Sequence, residues 1–324
     1  MKAFVYREYG TSEVLQLEDV AVPEPGDEQV LVRVIAASVN PYDWHHLTGK
    51  PYLVRLMAGF RRPKEPTMLG ADMAGRVESV GSAVTRWRPG DEVFGMRSGA
   101  FGEYVVCGQD RLARKPANVT FEQAAAVPMA GLTALQSLRD KGKVKAGQQV
   151  LIIGASGGVG TLAVQLAKAF GAHVTAVCST RNVETVRGLG ADRVIDYTGE
   201  DFVHSGHRYD LILDGPGNRS IRDRRRVLAR NGILVMYSGP KKNRWVGPLL
   251  STLRVSLASS FGTQKMTGMM TSNSKADLDL LGQLMAQGKV TPWIERTHPL
   301  VELPRAIDYV GTGHARGKVV ITIG

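Results

Sequence analysis

The sequence predicts a two-domain α/β fold, a small β barrel followed by a doubly wound parallel sheet. Three observations carry this expectation. The chain has 324 residues, more than one ordinary domain needs. Up to about residue 120 it is made of short strands broken by Gly and Pro. Beyond Gly147, apolar strands alternate with helical segments. Hydrophobic residues make up 43% of the chain, enough to fill two cores.

In the first region, 30–35, 75–80 and 101–106 read as strands. Pro23, Pro25, Gly26, Pro89, Gly90 and Pro116 punctuate them, and close turns between short strands suggest a barrel. Thr120 followed by Gln123 has the spacing of a capping box, so a helix is expected to begin there. In the second region, strands are expected at 150–153, 173–177, 193–195, 211–213 and 233–237. Helices are expected at 158–170, 182–189 and 219–228. That alternation predicts a parallel sheet wound on both faces. The tail ends in a strand at 317–323, and no internal repeat or low-complexity linker interrupts the chain.

Composition excludes several classes. The two cysteines, Cys107 and Cys178, are too few and too far apart for a disulfide framework, so a reducing compartment is expected. No signal-peptide pattern opens the chain and no run of about 18 apolar residues occurs. Those features give a cytoplasmic protein as the expectation. The formal charge is +11, from 41 basic and 30 acidic residues. The densest basic run is Arg222, Arg224, Arg225, Arg226 and Arg230, which reads as a solvated helix face. Nucleic acid is not expected as a partner, because no aromatics interleave with that run and no binding motif accompanies it.

The clearest chemical signal is Val150-Leu151-Ile152-Ile153-Gly154-Ala155-Ser156-Gly157-Gly158-Val159-Gly160. A buried strand enters a glycine turn and a helix leaves it, the context in which a dinucleotide fingerprint is credible. Ala155 stands where the first glycine usually does. Gly157 lets the backbone approach a pyrophosphate and Gly160 lets the helix pack on the strand. The helix N-terminus then offers N–H groups and the positive end of its dipole to phosphate, so Ala155, Ser156, Gly157, Gly158, Val159 and Gly160 are cofactor candidates.

The end of the next strand selects the nucleotide. An NAD-type site carries an acid about 20 residues on. Here the stretch is Cys178-Ser179-Thr180-Arg181-Asn182, with two hydroxyls and a guanidinium in place of a carboxylate. A 2′-phosphate wants donors and a planar cation, so NADPH is the expected cofactor. Helix capping by Ser179 and Thr180 with a solvated Arg181 is compatible with the same preference. Tyr197 either covers that phosphate or packs on the surface.

From here the whole chain resembles the medium-chain dehydrogenase/reductase superfamily, and most of all its zinc-independent quinone oxidoreductase branch, which includes zeta-crystallin and enone oxidoreductases. The resemblance runs through Met1-Lys2-Ala3, Ser38-Val39-Asn40-Pro41-Tyr42-Asp43, Leu69-Gly70-Ala71-Asp72-Met73-Ala74-Gly75 and Pro89-Gly90-Asp91-Glu92-Val93. It continues with Gly102-Glu103-Tyr104, Gly131-Leu132-Thr133-Ala134, Leu189-Gly190-Ala191-Asp192, Val194-Ile195-Asp196-Tyr197 and Gly317-Lys318-Val319-Val320. It implies a groES-like barrel over 1–121, completed by 290–324, and a Rossmann NADP-binding domain over 122–289.

Departures from the zinc-dependent relatives matter. Those carry a Cys ligand near position 38 and a Gly-His-Glu motif near 70; this chain has Ser38 and Gly70-Ala71-Asp72. The four-cysteine structural lobe is missing too. His45 and His46, adjacent on a helix, point about 100° apart and do not easily share an ion. No metal is therefore expected.

Without a Lewis acid, reduction of a conjugated acceptor is easier than chemistry through a metal alkoxide. The resemblance places Asn40 near the nicotinamide, as a donor to an acceptor oxygen. Tyr42 and Tyr52 are candidate proton donors, with barrel packing as their plain alternative. Asp43 can buttress the loop. Thr133, Asp214, Ser238, Gly239 and Lys318 are further cofactor candidates. The expected activity is NADPH-dependent hydride transfer to a quinone or an α,β-unsaturated carbonyl. An NAD(P)-dependent alcohol dehydrogenase or carbonyl reductase, and a non-catalytic NADPH-binding regulator or crystallin-like protein, are the alternatives. The partner is a small hydrophobic acceptor. A homodimer is expected from the resemblance. The apolar, basic segments 52–62 and 245–270 either line the acceptor pocket, form a dimer contact or touch a membrane surface.

Overall fold

The computed structural model describes residues 1–63, 67–239 and 262–324, apart from the side chain of Met57. Two units divide the chain: Met1–Leu132 with Asn273–Gly324, and Thr133–Ser272. The boundaries expected at 121/122 and 289/290 are displaced, because the segments in between pack with the first unit. There the amide of Asn118 donates to the carbonyl of Met285, at 3.3 Å.

In the first unit, strand β3 (Gln29–Val39) is the hub. It pairs antiparallel with β5 (Asp72–Val80), β7 (Tyr104–Gly108) and β16 (Lys318–Thr322). The sheet runs β15-β16-β3-β5-β6-β8, with β6 Glu92–Met96, β8 Leu112–Arg114 and β15 Ile294–Pro299. A smaller sheet joins β2 (Gln16–Asp19), β1 (Lys2–Tyr6) and β4 (Thr67–Met68). Val30, Val32, Val34, Met73, Val93 and Phe101 fill the core between them. Helices α1 (Pro41–Thr48) and α2 (Leu53–Ala58) follow β3, and α3 (Phe121–Ala125) opens with the expected capping box: Gln123 N donates to Thr120 Oγ1 and Thr120 N to Gln123 Oε1.

Register is what builds the site here. Ser38 lies opposite Asp72 on one side, and Val319 opposite Val39 on the other. Three segments far apart in sequence thus meet at the end of β3. Helix α4 (Pro128–Gln136) contains the boundary between the units.

The second unit is a six-stranded parallel sheet in the order β11-β10-β9-β12-β13-β14. The strands are β9 Gln149–Ile153, β10 His173–Cys178, β11 Arg193–Asp196, β12 Tyr209–Asp214, β13 Leu228–Met236 and β14 Lys265–Gly268. The order reverses beside β9, the switch point at which such sheets bind ligands. Val150, Leu151 and Ile152 have no exposed surface, as a strand covered on both faces requires. Helices α5 (Gly158–Ala169), α6 (Val183–Gly188) and α7 (Ile221–Val227) make the crossovers. Helices α8 (Lys275–Ala286) and α9 (Leu303–Thr312) return the chain to the first unit. No helix among the described residues is long and apolar enough to cross a membrane.

Candidate functional site

The second unit carries the glycine turn between β9 and α5. Gly154 takes φ +81°, a conformation that side chains other than glycine's rarely adopt. Gly154 N and Ala155 N both donate to Val177 O at 3.1 Å, which ties the turn to β10. At Gly160 a Cβ would sit 2.2 Å from the carbonyl oxygen of Gly154 and 2.7 Å from Cα of Ala155. The helix can therefore approach the turn this closely only with glycine at 160. Thr161 N is the first of the helix to reach back, to Gly157 O at 2.9 Å. The N–H groups ahead of it, on Gly158, Val159 and Gly160, lie in the first turn, where no helical carbonyl precedes them. The turn thus fits a bound pyrophosphate.

Around the end of β10 the hydroxyls divide. Thr198 donates to Asp196 at 2.8 Å, and the Thr180 hydroxyl lies 2.8 Å from that of Thr198, so both threonines are engaged around the Asp196 carboxylate. Hydrogen bonds from Thr180 and Thr198 hold the Asp196 carboxyl below its ordinary range. Thr180 was expected to serve a phosphate; its proton is engaged elsewhere. Ser179 is half-buried and Arg181 exposed, while Tyr197 is 57% exposed. Asn182, buried, donates from Nδ2 to Ser156 at 3.1 Å and to Ser179 at 3.0 Å.

Asp214 does not stand open to a ligand. It is fully buried, pairs with Arg224 Nε at 2.9 Å and accepts from Gly217 N at 2.8 Å. This shapes the turn after β12, whose Pro216 packs against Gly154. Arg224 thereby leaves the solvated helix face expected for the arginine run: its side chain is 5% exposed. Thr133 Oγ1 lies 2.6 Å from Thr271 Oγ1. Ser238 and Gly239 follow β13, the serine exposed and the glycine buried.

The first unit carries a buried polar cluster at the end of β3. Lys318 Nζ donates to Asn40 Oδ1 at 2.6 Å and to Asp72 Oδ2 at 3.3 Å. The Asn40 amide nitrogen donates to Asp72 Oδ2 at 2.9 Å and to Ser38 O at 3.2 Å. Ser38 Oγ also donates to Asp72, and Met129 N donates to its other oxygen. Asn40 and Lys318 are each 3% exposed. Both hydrogens of the Asn40 amide are engaged inside the cluster, so the expected donation to an acceptor oxygen does not fit this arrangement. Lys318 likewise spends its charge on Asp72 here. Asp43, with no exposed surface, accepts from the backbone N–H groups of Asn40 (2.8 Å) and Gly70 (3.0 Å). Burial pushes its carboxyl up to about 7, against those two hydrogen bonds.

Tyr42 stacks on His46, ring centroids 3.8 Å apart. Burial raises the Tyr42 hydroxyl above its ordinary value and lowers His46, so the phenol keeps its proton at neutral pH. Tyr52 packs under the Arg55 guanidinium, which lies 4.9 Å from its ring. In segment 52–62, Leu56 and Phe60 are exposed beside exposed Arg61 and Arg62. The part of segment 245–270 from 245 to 261 lies outside the described residues.

Asp72, Ser38 and Asn182 escaped the sequence reading as site residues. Asp72 registered only as a departure from a ligand motif. Asn182 had a readable signal: it follows Ser179 by three, the spacing of a one-turn reversal that returns its side chain to Ser179.

A family model described as an alcohol dehydrogenase GroES-like domain matches residues 26–117, and one described as a zinc-binding dehydrogenase matches 189–321. A relative from Solanum lycopersicum, 2-methylene-furan-3-one reductase, is 35% identical, covering 99% of this chain and 79% of its own. An NADPH-dependent alkenal/one oxidoreductase, chloroplastic, from Arabidopsis thaliana is 35% identical with the same coverage. The solved quinone oxidoreductase of Coxiella burnetii has a TM-score of 0.89 and 33% identity, over 100% of this chain and 99% of that one. With these likenesses running the length of both units, the chain belongs to the medium-chain dehydrogenase/reductase superfamily, in its quinone oxidoreductase branch.

Proposed function

We propose that the protein is an NADPH-dependent reductase that passes hydride to a quinone or an α,β-unsaturated carbonyl without a metal ion. The observation that carries this is the turn between β9 and α5. Glycine at 160 lets α5 begin directly against the turn, which sets its first-turn N–H groups there, and no carboxylate stands at Ser179 to select the unphosphorylated ribose. The relatives' names supply the acceptor class, alkenal or enone in two cases and quinone in the third. A bound reduced nicotinamide supplies the hydride.

The chain's own part is to bind and orient. The first-turn N–H groups of α5 hold the pyrophosphate, and Ser179 with the exposed Arg181 serve the 2′-phosphate. Asn40 and Asp72 fix Lys318, which keeps a cation in the first unit at the end of β3. Tyr42, protonated at neutral pH, is the proton donor; Tyr52 is the second candidate.

The metal-free reading rests on the donor set. Ser38 and Asp72 occupy the positions near which zinc-dependent relatives carry ligands, and both are hydrogen-bonded within the cluster. Among the described residues no group of three His, Cys, Asp or Glu side chains is placed to hold an ion. The description "zinc-binding dehydrogenase" thus belongs to the matching family model, and these residues argue against carrying it over.

Conjugation favours the reaction here. A simple ketone concentrates charge on one oxygen, while an enone spreads it through the acceptor and asks less of neutral donors, worth roughly 3–4 kcal/mol each. Deuterium from C4 of labelled NADPH should appear at the β-carbon of an enone product, with a chelator present throughout. Label on a carbinol carbon with the alkene retained would mean a carbonyl reductase.

We also infer a cytoplasmic homodimer with weak membrane-surface contact through Leu56, Phe60, Arg61 and Arg62. Light scattering at micromolar concentration, fractionation of the native cells and sedimentation with anionic vesicles test the three parts.

A further inference from the structure

Asn182 closes a single turn after β10: its backbone N–H donates to Ser179 O at 2.9 Å, and its side chain folds back, 5% exposed. The amide nitrogen faces two hydroxyls, Ser156 Oγ at 3.1 Å and Ser179 Oγ at 3.0 Å. Ser156 belongs to the glycine turn after β9 and Ser179 directly follows β10, so one buried amide joins the ends of two neighbouring strands. An amide nitrogen has two hydrogens and no lone pair to offer, so each serine accepts from Asn182. A hydroxyl that accepts in this way still has its own proton to give. The neighbouring hydroxyls behave differently: Thr180 and Thr198 are spent on each other and on Asp196. The amide therefore sets Ser156 and Ser179 apart as a pair of outward donors.

We infer that Asn182 is a specificity-determining positioning residue, which orients Ser156 and Ser179 as donors to a phosphomonoester, the 2′-phosphate of the cofactor. The inference rests on the NADPH reading. A dianionic phosphate accepts hydrogen bonds and gives none, so it is served by hydroxyls held in the donating sense. A ribose 2′-hydroxyl also has a proton to place, and the stretch 178–182 after β10 offers no carboxylate to receive it.

Calorimetric titration of the full chain with adenosine 2′,5′-bisphosphate and with ADP tests this without turnover. The wild type should prefer the 2′-phosphorylated ligand by tenfold or more. Asn182→Asp replaces a donor with an acceptor that draws both serine protons inward, and its preference should fall at least tenfold without loss of ADP affinity. Asn182→Ala removes the orienting amide without adding charge, and should lose about threefold or more of the preference. Ser179→Ala should lose a comparable share, and Asn182→Ala added to it should cost less than it does alone. No preference in the wild type would overturn the NADPH reading itself. A wild-type preference that survives in both Asn182 variants would overturn this inference alone. So would an equal loss of affinity for both ligands, the mark of a purely structural role.

Discussion

The buried pair of Arg224 and Asp214 offers a quantitative test of how the cofactor unit is held together. Arg224→Met keeps the aliphatic bulk and removes the charge. Asp214 then keeps the Gly217 N–H as a hydrogen-bond partner but no cation, with its side chain 1% exposed. Removing one partner of a buried pair costs about 3–5 kcal/mol, because the other charge stays uncompensated. Applied to the unit Thr133–Ser272, that lowers its melting temperature on the order of 10 °C. The double variant Arg224→Met/Asp214→Leu separates pairing from packing. It leaves Gly217 N without its acceptor, about 1–3 kcal/mol. It also removes the buried Nη2 of Arg224, which has no hydrogen-bond partner among the described residues. The two changes offset, so the double variant should melt within a few degrees of wild type. Calorimetry and urea titration of the three proteins decide the matter. A single variant that loses less than 1 kcal/mol, or a double variant no better than the single, refutes the reasoning.

Asp43 gives a pH signature. Its carboxyl moves from 3.8 to about 7 on folding, so the folded state binds the proton more tightly than the unfolded chain. The associated stability is full below pH 4 and is lost as pH rises through 7, at up to about 1.4 kcal/mol per pH unit. Measured by denaturant unfolding, wild type should lose a few kcal/mol relative to Asp43→Asn between pH 4 and 8. A constant gap across that range would show that Asp43 does not titrate there. The thiols make a second prediction. Burial pushes Cys107 up to about 12 and Cys178 up to about 11, and both are at most 2% exposed. Thiolate is the nucleophile, and at pH 7.5 each site holds under about 0.1% of it. The native protein should therefore resist N-ethylmaleimide while the unfolded chain takes two equivalents. Rapid labelling of the native protein would contradict that burial. The property suits a protein that meets electrophilic acceptors.

Where a signal is local, the sequence carried it. The strand-turn-helix at 150–160 needs only neighbours: an apolar strand, glycine where a Cβ would strike Gly154 O, and a helix beginning at once. The capping box at Thr120 and the alternation that gives the parallel sheet are local in the same sense. Strand ends were less legible. β13 begins at Leu228, within a stretch expected to be helical, because Ser220 and Asp223 cap a helix that stops at Val227.

The cluster at Asn40 was legible only as a set of motifs, and its chemistry was not. Asn40, Asp72 and Lys318 are brought together by two strand registers, and no spacing along the chain states a register. Asn40 was therefore assigned a ligand-facing role that its burial opposes, while Asp72, which accepts from Ser38, Asn40, Lys318 and Met129, had no role at all. The same logic separates Asp214 from Asn182. Both sit near the phosphate turn and both are polar. Asp214 is spent on Arg224 and Gly217, so its charge stabilises a turn. Asn182 gives two hydrogens and leaves two hydroxyl protons in surplus. A buried polar side chain acts on a ligand through what its neighbours have left to give, and that is decided by partners that a motif does not name.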